Sequence, residues 1–131
     1  MKATVIATRV LISLSGISLL ILGILFWLGY ALAYLNVHMA LGLVLVLCLW
    51  LLVVLGLSTR VSTGLTLLVL VWSLLTPAFG VLQMRLLPGE YHWLIRVLHL
   101  VIGIAAVGLG HILAKRLVTP EPLVSPGAGP A

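Results

Sequence analysis

The feature that most restricts the fold is an uncharged stretch, because positions 10–59 contain no Asp, Glu, Lys or Arg. A soluble domain needs a charged surface, which such a stretch does not provide. At about 20 apolar residues per crossing, it is long enough for two transmembrane helices. Only 7% of the 131 residues are charged and 63% are hydrophobic, so we expect a lipid bilayer to surround most of the chain.

Turn-forming residues divide the chain into four apolar spans, at about 10–32, 37–57, 62–86 and 91–117. Asn36 is the predicted N-cap of the second helix, and Pro88-Gly89 predicts a turn before the fourth. Backbone amides in lipid find partners only within a helix or a closed barrel, so each span is predicted to be helical. The prediction is an all-α, integral membrane, four-helix antiparallel bundle over residues 1–118. A disordered cytoplasmic tail is predicted over 119–131, which carries four prolines.

The positive charges predict the orientation of these spans. With both termini in the cytoplasm, the inner side holds five basic residues, Lys2, Arg9, Arg60, Lys115 and Arg116, and the outer side holds Arg85 and Arg96. This excess predicts a multi-pass protein of the cell inner (plasma) membrane with both ends cytoplasmic. The first apolar run, 10–28, is longer than the roughly 7–15 residues of a signal-peptide core, so we expect an uncleaved span.

The two halves of the chain share a pattern. The second span carries His38, three apolar residues and Gly42, and the fourth carries His99, three apolar residues and Gly103. Both histidines lie on helices that enter from the same side. Two matches in corresponding positions suggest duplicated helix hairpins, with coincidence in a Leu- and Gly-rich chain as the competing explanation.

The fourth span has one face that is polar toward the outer end and small-sided further in. Residues three, four and seven apart share a helix face. This face contains His92, Arg96, His99, Gly103, Ala106 and Gly110. Ionisable groups within a span are costly and mark functional candidates, and small residues let a backbone or a flat ligand approach closely. The face fits either a homo-oligomer or packing within one bundle.

Paired histidines on two helices suggest a haem site, because neutral imidazole is a good axial ligand for haem iron. His38 and His99 are the predicted axial and metal ligands. Gly42 and Gly103, one turn deeper, would leave room beside the macrocycle of haem b. The depths are a difficulty, because counting residues from the predicted helix starts places His99 about 9 Å deeper than His38. His92 is therefore a reserve ligand.

Cationic side chains near the same end, Arg96, Arg85 and His92, are the predicted partners of the haem propionates. With these histidine–glycine pairs, the chain resembles the four-helix membrane b-type cytochromes, in which histidines on bundle helices hold haem. Many members of that group hold two haems, with histidine pairs near both faces. Here His111 is the one histidine on the inner side, so a second haem would need a ligand from another subunit.

The resemblance implies an electron-transfer module and, if the chain is an enzyme, an oxidoreductase. Its partner would be a membrane or extracytoplasmic redox protein or a quinol, and no basic face for nucleic acid is present. One alternative is a non-catalytic structural or interaction subunit of a membrane complex. Another is a small oligomeric transporter or channel with His99 as a proton relay, although no span contains the carboxylate that ion-coupled carriers commonly use.

Overall fold

The computed structural model describes residues 1–59 and 61–119. Four α-helices make up most of this part of the chain, at α1 Lys2–Trp27, α2 Leu35–Leu57, α3 Thr63–Leu82 and α4 His92–Val118. Short 3₁₀ turns precede α2 at Leu32–Tyr34 and follow α3 at Gln83–Arg85. The predicted all-α four-helix bundle is confirmed, and each helix is long and apolar enough to span a membrane. The tail predicted to be disordered lies, from residue 120 onward, outside the described residues.

The helices form a ring in which each packs against the helix before and the helix after it, with α4 returning to α1. The helices α2 and α4 also contact each other across the middle of the ring. These are the two helices that carry the predicted axial histidines. The ring therefore brings the two candidate ligands toward a common centre.

The helix ends differ from the predicted spans near α1 and α2. The first helix begins at Lys2, because Val5 and Thr8 pack into the core. It ends at Trp27, where Gly29 takes the left-handed conformation at φ +81° and the Tyr30 N–H donates to the Leu25 carbonyl at 2.8 Å. The N-cap prediction is wrong, because a 3₁₀ turn leads directly into α2 and places Asn36 inside its first turn.

The two ends of the bundle differ in packing. We call the end where α1 and α3 begin the core end, and the opposite end, where α2 and α4 begin, the histidine end. Side chains that are fully or almost fully buried lie mainly toward the core end, and the largest include Val5, Ile12, Leu49, Leu52, Val69 and Leu113. At Gly110, a Cβ atom would lie 2.7 Å from Leu49 Cδ2 and 3.2 Å from Ile12 Cδ1. The missing side chain thus lets α1, α2 and α4 meet.

The buried hydroxyls donate to carbonyls three or four residues earlier in the chain. Thr8 donates to the Thr4 carbonyl at 2.8 Å, and Ser15 donates to the Leu11 carbonyl at 2.6 Å. In α3, Thr66 and Ser73 donate to carbonyls one turn earlier. Since an unsatisfied buried polar group costs about 1–3 kcal/mol, this arrangement keeps serine and threonine compatible with the core.

Candidate functional site

The site is built around two imidazole rings on the helices that meet across the ring. The ring centroids of His38 in α2 and His99 in α4 are 6.4 Å apart, and the ring planes are inclined by 44°. We call these two residues the histidine pair. The predicted difference in depth is absent because α4 begins further out than α2. His99 is seven residues into its helix and His38 only three, so the start of α4 extends about 6 Å beyond that of α2.

The other two helices hold the imidazoles in place. Phe26 of α1 lies against His38, with ring centroids 5.3 Å apart. Phe79 of α3 stacks on His99 at 6.1 Å, with only 13° between the planes. Each helix of the bundle therefore contributes one ring to the same cluster, and each histidine is packed against a phenylalanine from a neighbouring helix.

A glycine next to Phe79 makes room for His99. A Cβ atom at Gly80 would lie 3.4 Å from His99 Cε1, at the limit of ordinary van der Waals contact. Any larger side chain would push against the imidazole. Gly80 thereby allows α3 to approach the face of α4 that carries the ligand candidate.

The histidine pair has unsatisfied polar atoms. The Nδ1 atoms of His38 and His99 are both buried, and neither has a hydrogen-bond partner among the described residues. Leaving such atoms unpaired costs about 1–3 kcal/mol each. None of the described residues supplies the carbonyl or carboxylate to which a metal-bound histidine commonly donates its second ring N–H. The pair therefore has unused capacity to bind a ligand, a water molecule or a metal.

A cavity of about 650 Å³ adjoins the histidine pair and runs between α1 and α4. Its volume lies within the roughly 300–1,000 Å³ of sites that hold organic ligands and cofactors. Its walls are mostly aliphatic. The polar or ionisable side chains that line it are Ser13, His38, Gln83, His92, Arg96, His99 and His111. An apolar ligand with a few polar groups fits this composition.

The structure separates the residues predicted for the site into two groups. Arg96, His92 and Gly103 line the cavity together with the histidine pair. Gly42 and Arg85 are not among the residues that line it. His92 stands at the start of α4, where its Nδ1 lies 3.2 Å from the Leu86 carbonyl oxygen.

The predicted small-sided face of α4 has two different environments. Its outer part faces the cavity at Gly103, where a Cβ atom would meet nothing within 4 Å. Its inner part, Ala106 and Gly110, is buried in the core. Packing within the bundle thus accounts for the inner part of the face.

The available donors suit a macrocyclic cofactor better than a bare metal ion. Within residues 1–59 and 61–119, no three His, Cys, Asp or Glu side chains come together as a metal-binding group. A haem needs only axial ligands from the protein, because the porphyrin supplies the other four nitrogens. The 6.4 Å between the ring centroids of the histidine pair is compatible with both imidazoles binding one ion at a metal–nitrogen distance of about 2 Å.

Sequence reasoning missed several residues of the site. Nothing in the sequence marks Phe26 or Phe79, since aromatic residues are common in apolar helices. Gly80 stands on a polar face of α3 at helical spacing from Ser73 and Thr76, and this spacing is the one available signal.

Comparisons with protein-family models, with curated proteins and with solved structures found no match to this chain.

Proposed function

We propose that this chain is a four-span membrane protein that holds one haem b between His38 and His99 and serves as an electron-transfer module. The observation that carries the proposal is the histidine pair itself. Two imidazoles from different helices lie 6.4 Å apart beside a cavity of cofactor size, and each has a buried Nδ1 without a partner.

Insertion into a bilayer is supported by the lengths and composition of all four helices. Many large apolar side chains are exposed on their outer faces, including Leu14, Leu43, Val71 and Val101. Lipid can solvate such faces. In water, the same faces would form an exposed apolar surface of the kind that causes aggregation. The distribution of Lys and Arg favours the plasma membrane orientation with both termini in the cytoplasm, which puts the histidine end on the outer side.

Each residue of the site has a distinct proposed task. His38 and His99 would hold the haem through its iron, and Phe26 and Phe79 would fix the planes of the two imidazoles. Arg96 and His92 line the same cavity and supply donors for the propionates. A bound haem contributes one-electron redox chemistry, and the apolar walls of the cavity influence its potential. The electron partner at the outer side would be a redox protein or a quinol.

The optical spectrum of the purified protein tests this function. Protein expressed with added haem precursor should show a Soret band and one haem per chain. We expect His99→Ala and His38→Ala each to remove most of the bound haem, because each eliminates one of two iron bonds. His111→Ala is the matched control, since His111 lines the same cavity but bonds to Ser13 Oγ at 3.1 Å.

A folded, colourless wild-type protein after haem-supplemented expression would contradict the proposal. The same holds if His111→Ala loses as much haem as His99→Ala. If the wild-type protein is colourless, co-purification of a larger complex would favour the structural-subunit alternative, and ion flux in liposomes would favour the channel alternative.

A further inference from the structure

A second polar cluster lies near the core end, between α1 and α4. It consists of Arg9, Ser13 and His111. Ser13 Oγ lies 3.1 Å from His111 Nε2 and also 3.1 Å from the Arg9 carbonyl oxygen, to which it donates. Since serine has one hydroxyl hydrogen, His111 is the donor whenever that hydrogen goes to the carbonyl. Ser13 and His111 also line the large cavity, but the haem proposal gives none of these three side chains a role in binding.

The charge of Arg9 has no counterpart in the described part of the chain. Its Nε atom is buried and has no hydrogen-bond partner there. The chain contains only two acidic residues. Glu90 lies at the histidine end, between α3 and α4, and Glu121 lies outside the described residues. A buried guanidinium nitrogen without a partner favours an external anion, and guanidinium groups bind phosphate by two parallel hydrogen bonds.

The surroundings of this cluster are amphipathic. A small cavity of about 180 Å³ is lined by Ile6, Arg9, Val10, Ser13 and His111. Since a water molecule occupies about 30 Å³ in the liquid, this space has room for a phosphate group. Ile6 and Val10, which line this cavity together with Arg9, are 56% and 52% exposed. A phosphate with attached hydrocarbon would therefore satisfy both parts of the surface.

We propose that Arg9, Ser13 and His111 bind the phosphate of one anionic phospholipid, whose acyl chains lie along the apolar surface of α1. The inference rests on the proposed membrane insertion but not on haem binding. The core end is the cytoplasmic end in the proposed orientation, and anionic lipids of the cytoplasmic leaflet attract basic residues there. Arg9 provides the charge, and Ser13 or His111 donates to the phosphate by giving up the hydrogen bond that joins the two side chains.

Native mass spectrometry of protein from mixed phosphatidylglycerol and phosphatidylcholine micelles tests this site. The wild type should retain one phosphatidylglycerol per chain in preference to phosphatidylcholine. Arg9→Gln should lower that retention about tenfold, as expected for the loss of a charge-assisted bidentate contact. Lys2→Gln removes the same charge from an exposed position of the same helix and should change retention less than about twofold.

Two further measurements separate the competing explanations. Arg9→Lys keeps the charge and a folded helix but lacks the planar fork, so its retention should fall between those of the wild type and Arg9→Gln. A large excess of inorganic phosphate should not displace the lipid, because the acyl chains contribute to binding.

The lipid site would be refuted by equal retention in wild type and Arg9→Gln, by an equal loss in Lys2→Gln, or by displacement with free phosphate. The haem spectrum serves as the independent control. It should be the same in Arg9→Gln and the wild type, so a failed lipid experiment leaves the haem proposal standing, and the reverse is also true.

Discussion

The core end and the histidine end are both built from apolar residues and glycines, but the helices pack closely at the core end and leave open space at the histidine end. Toward the core end, Ile12, Leu49 and Leu113 are fully buried, and Gly110 allows their helices to approach. From the histidine end as far as Ser13 and His111, α1 and α4 leave a cavity of about 650 Å³, and a Cβ atom at Gly103 would meet nothing within 4 Å. Two glycines seven residues apart on one helix face thus serve close packing at one end and open space at the other.

The buried side-chain polar groups follow the same division, except that the Nε of Arg9, toward the core end, also has no partner among the described residues. The buried hydroxyls of Thr8, Ser15 and Thr66 each donate to the carbonyl four residues earlier in the chain. The buried Nδ1 atoms of His38 and His99 do not bond to any described residue. Well-packed protein interiors seldom leave such atoms unpaired. The difference indicates that the core end stabilises the bundle, while the histidine end retains the space and the unpaired atoms that a ligand requires.

The largest expected effect comes from filling the glycine at the core end. Gly110→Leu should lower the free energy of unfolding by about 3 kcal/mol or more, because its side chain would enter space that the fully buried Leu49 and Ile12 already fill. Gly103→Leu is the matched substitution on the same face of α4, and its effect on stability should stay within about 0.5 kcal/mol. Unfolding in detergent, followed by tryptophan fluorescence, measures both.

Equal destabilisation by the two variants would remove the distinction between the packed and the open end. If the distinction holds, Gly103→Leu should instead reduce haem content, because its side chain would enter the cavity.

A smaller effect is expected from a glycine that touches the histidine pair. Gly80→Val should weaken haem binding about tenfold, because the added methyl groups would displace the His99 imidazole that lies 3.4 Å from a Cβ atom there. Gly42→Val is the control, since a Cβ atom at Gly42 meets nothing within 4 Å and the residue does not line the cavity. Haem titration of the purified variants gives both affinities. A Gly42→Val protein that binds as weakly as Gly80→Val would restore the predicted role of Gly42 beside the macrocycle.

The number and order of the helices can be predicted from the sequence, because apolar segments and turns such as Pro88-Gly89 are recognised from a few neighbouring residues. Which residues of each helix form the core cannot be predicted from the sequence. A helix that is apolar on all sides has no pattern to distinguish its lipid-facing from its protein-facing side. The burial of Leu49 and the exposure of Leu43, six residues earlier on the same helix, therefore become visible only in the bundle.

The site was predictable only in part. The rarity of ionisable residues within the spans singles out His38 and His99, and the structure brings them together. The counted depth difference of about 9 Å was misleading, because it assumed that α2 and α4 begin at the same level. The pairing of His111 with Ser13 depends on the contact between α1 and α4. No spacing along the chain reveals a contact between residues so far apart in sequence.

The most direct test of the central claim, that both imidazoles of the histidine pair bind the same iron, is the electron paramagnetic resonance spectrum of the oxidised, haem-loaded protein. Two axial imidazoles give low-spin ferric haem. The wild type should therefore show a low-spin signal, and His38→Gly should show a high-spin signal that returns to low spin when free imidazole is added. A wild-type spectrum that is high-spin, or a low-spin signal that persists in both His38→Gly and His99→Gly, would contradict the account.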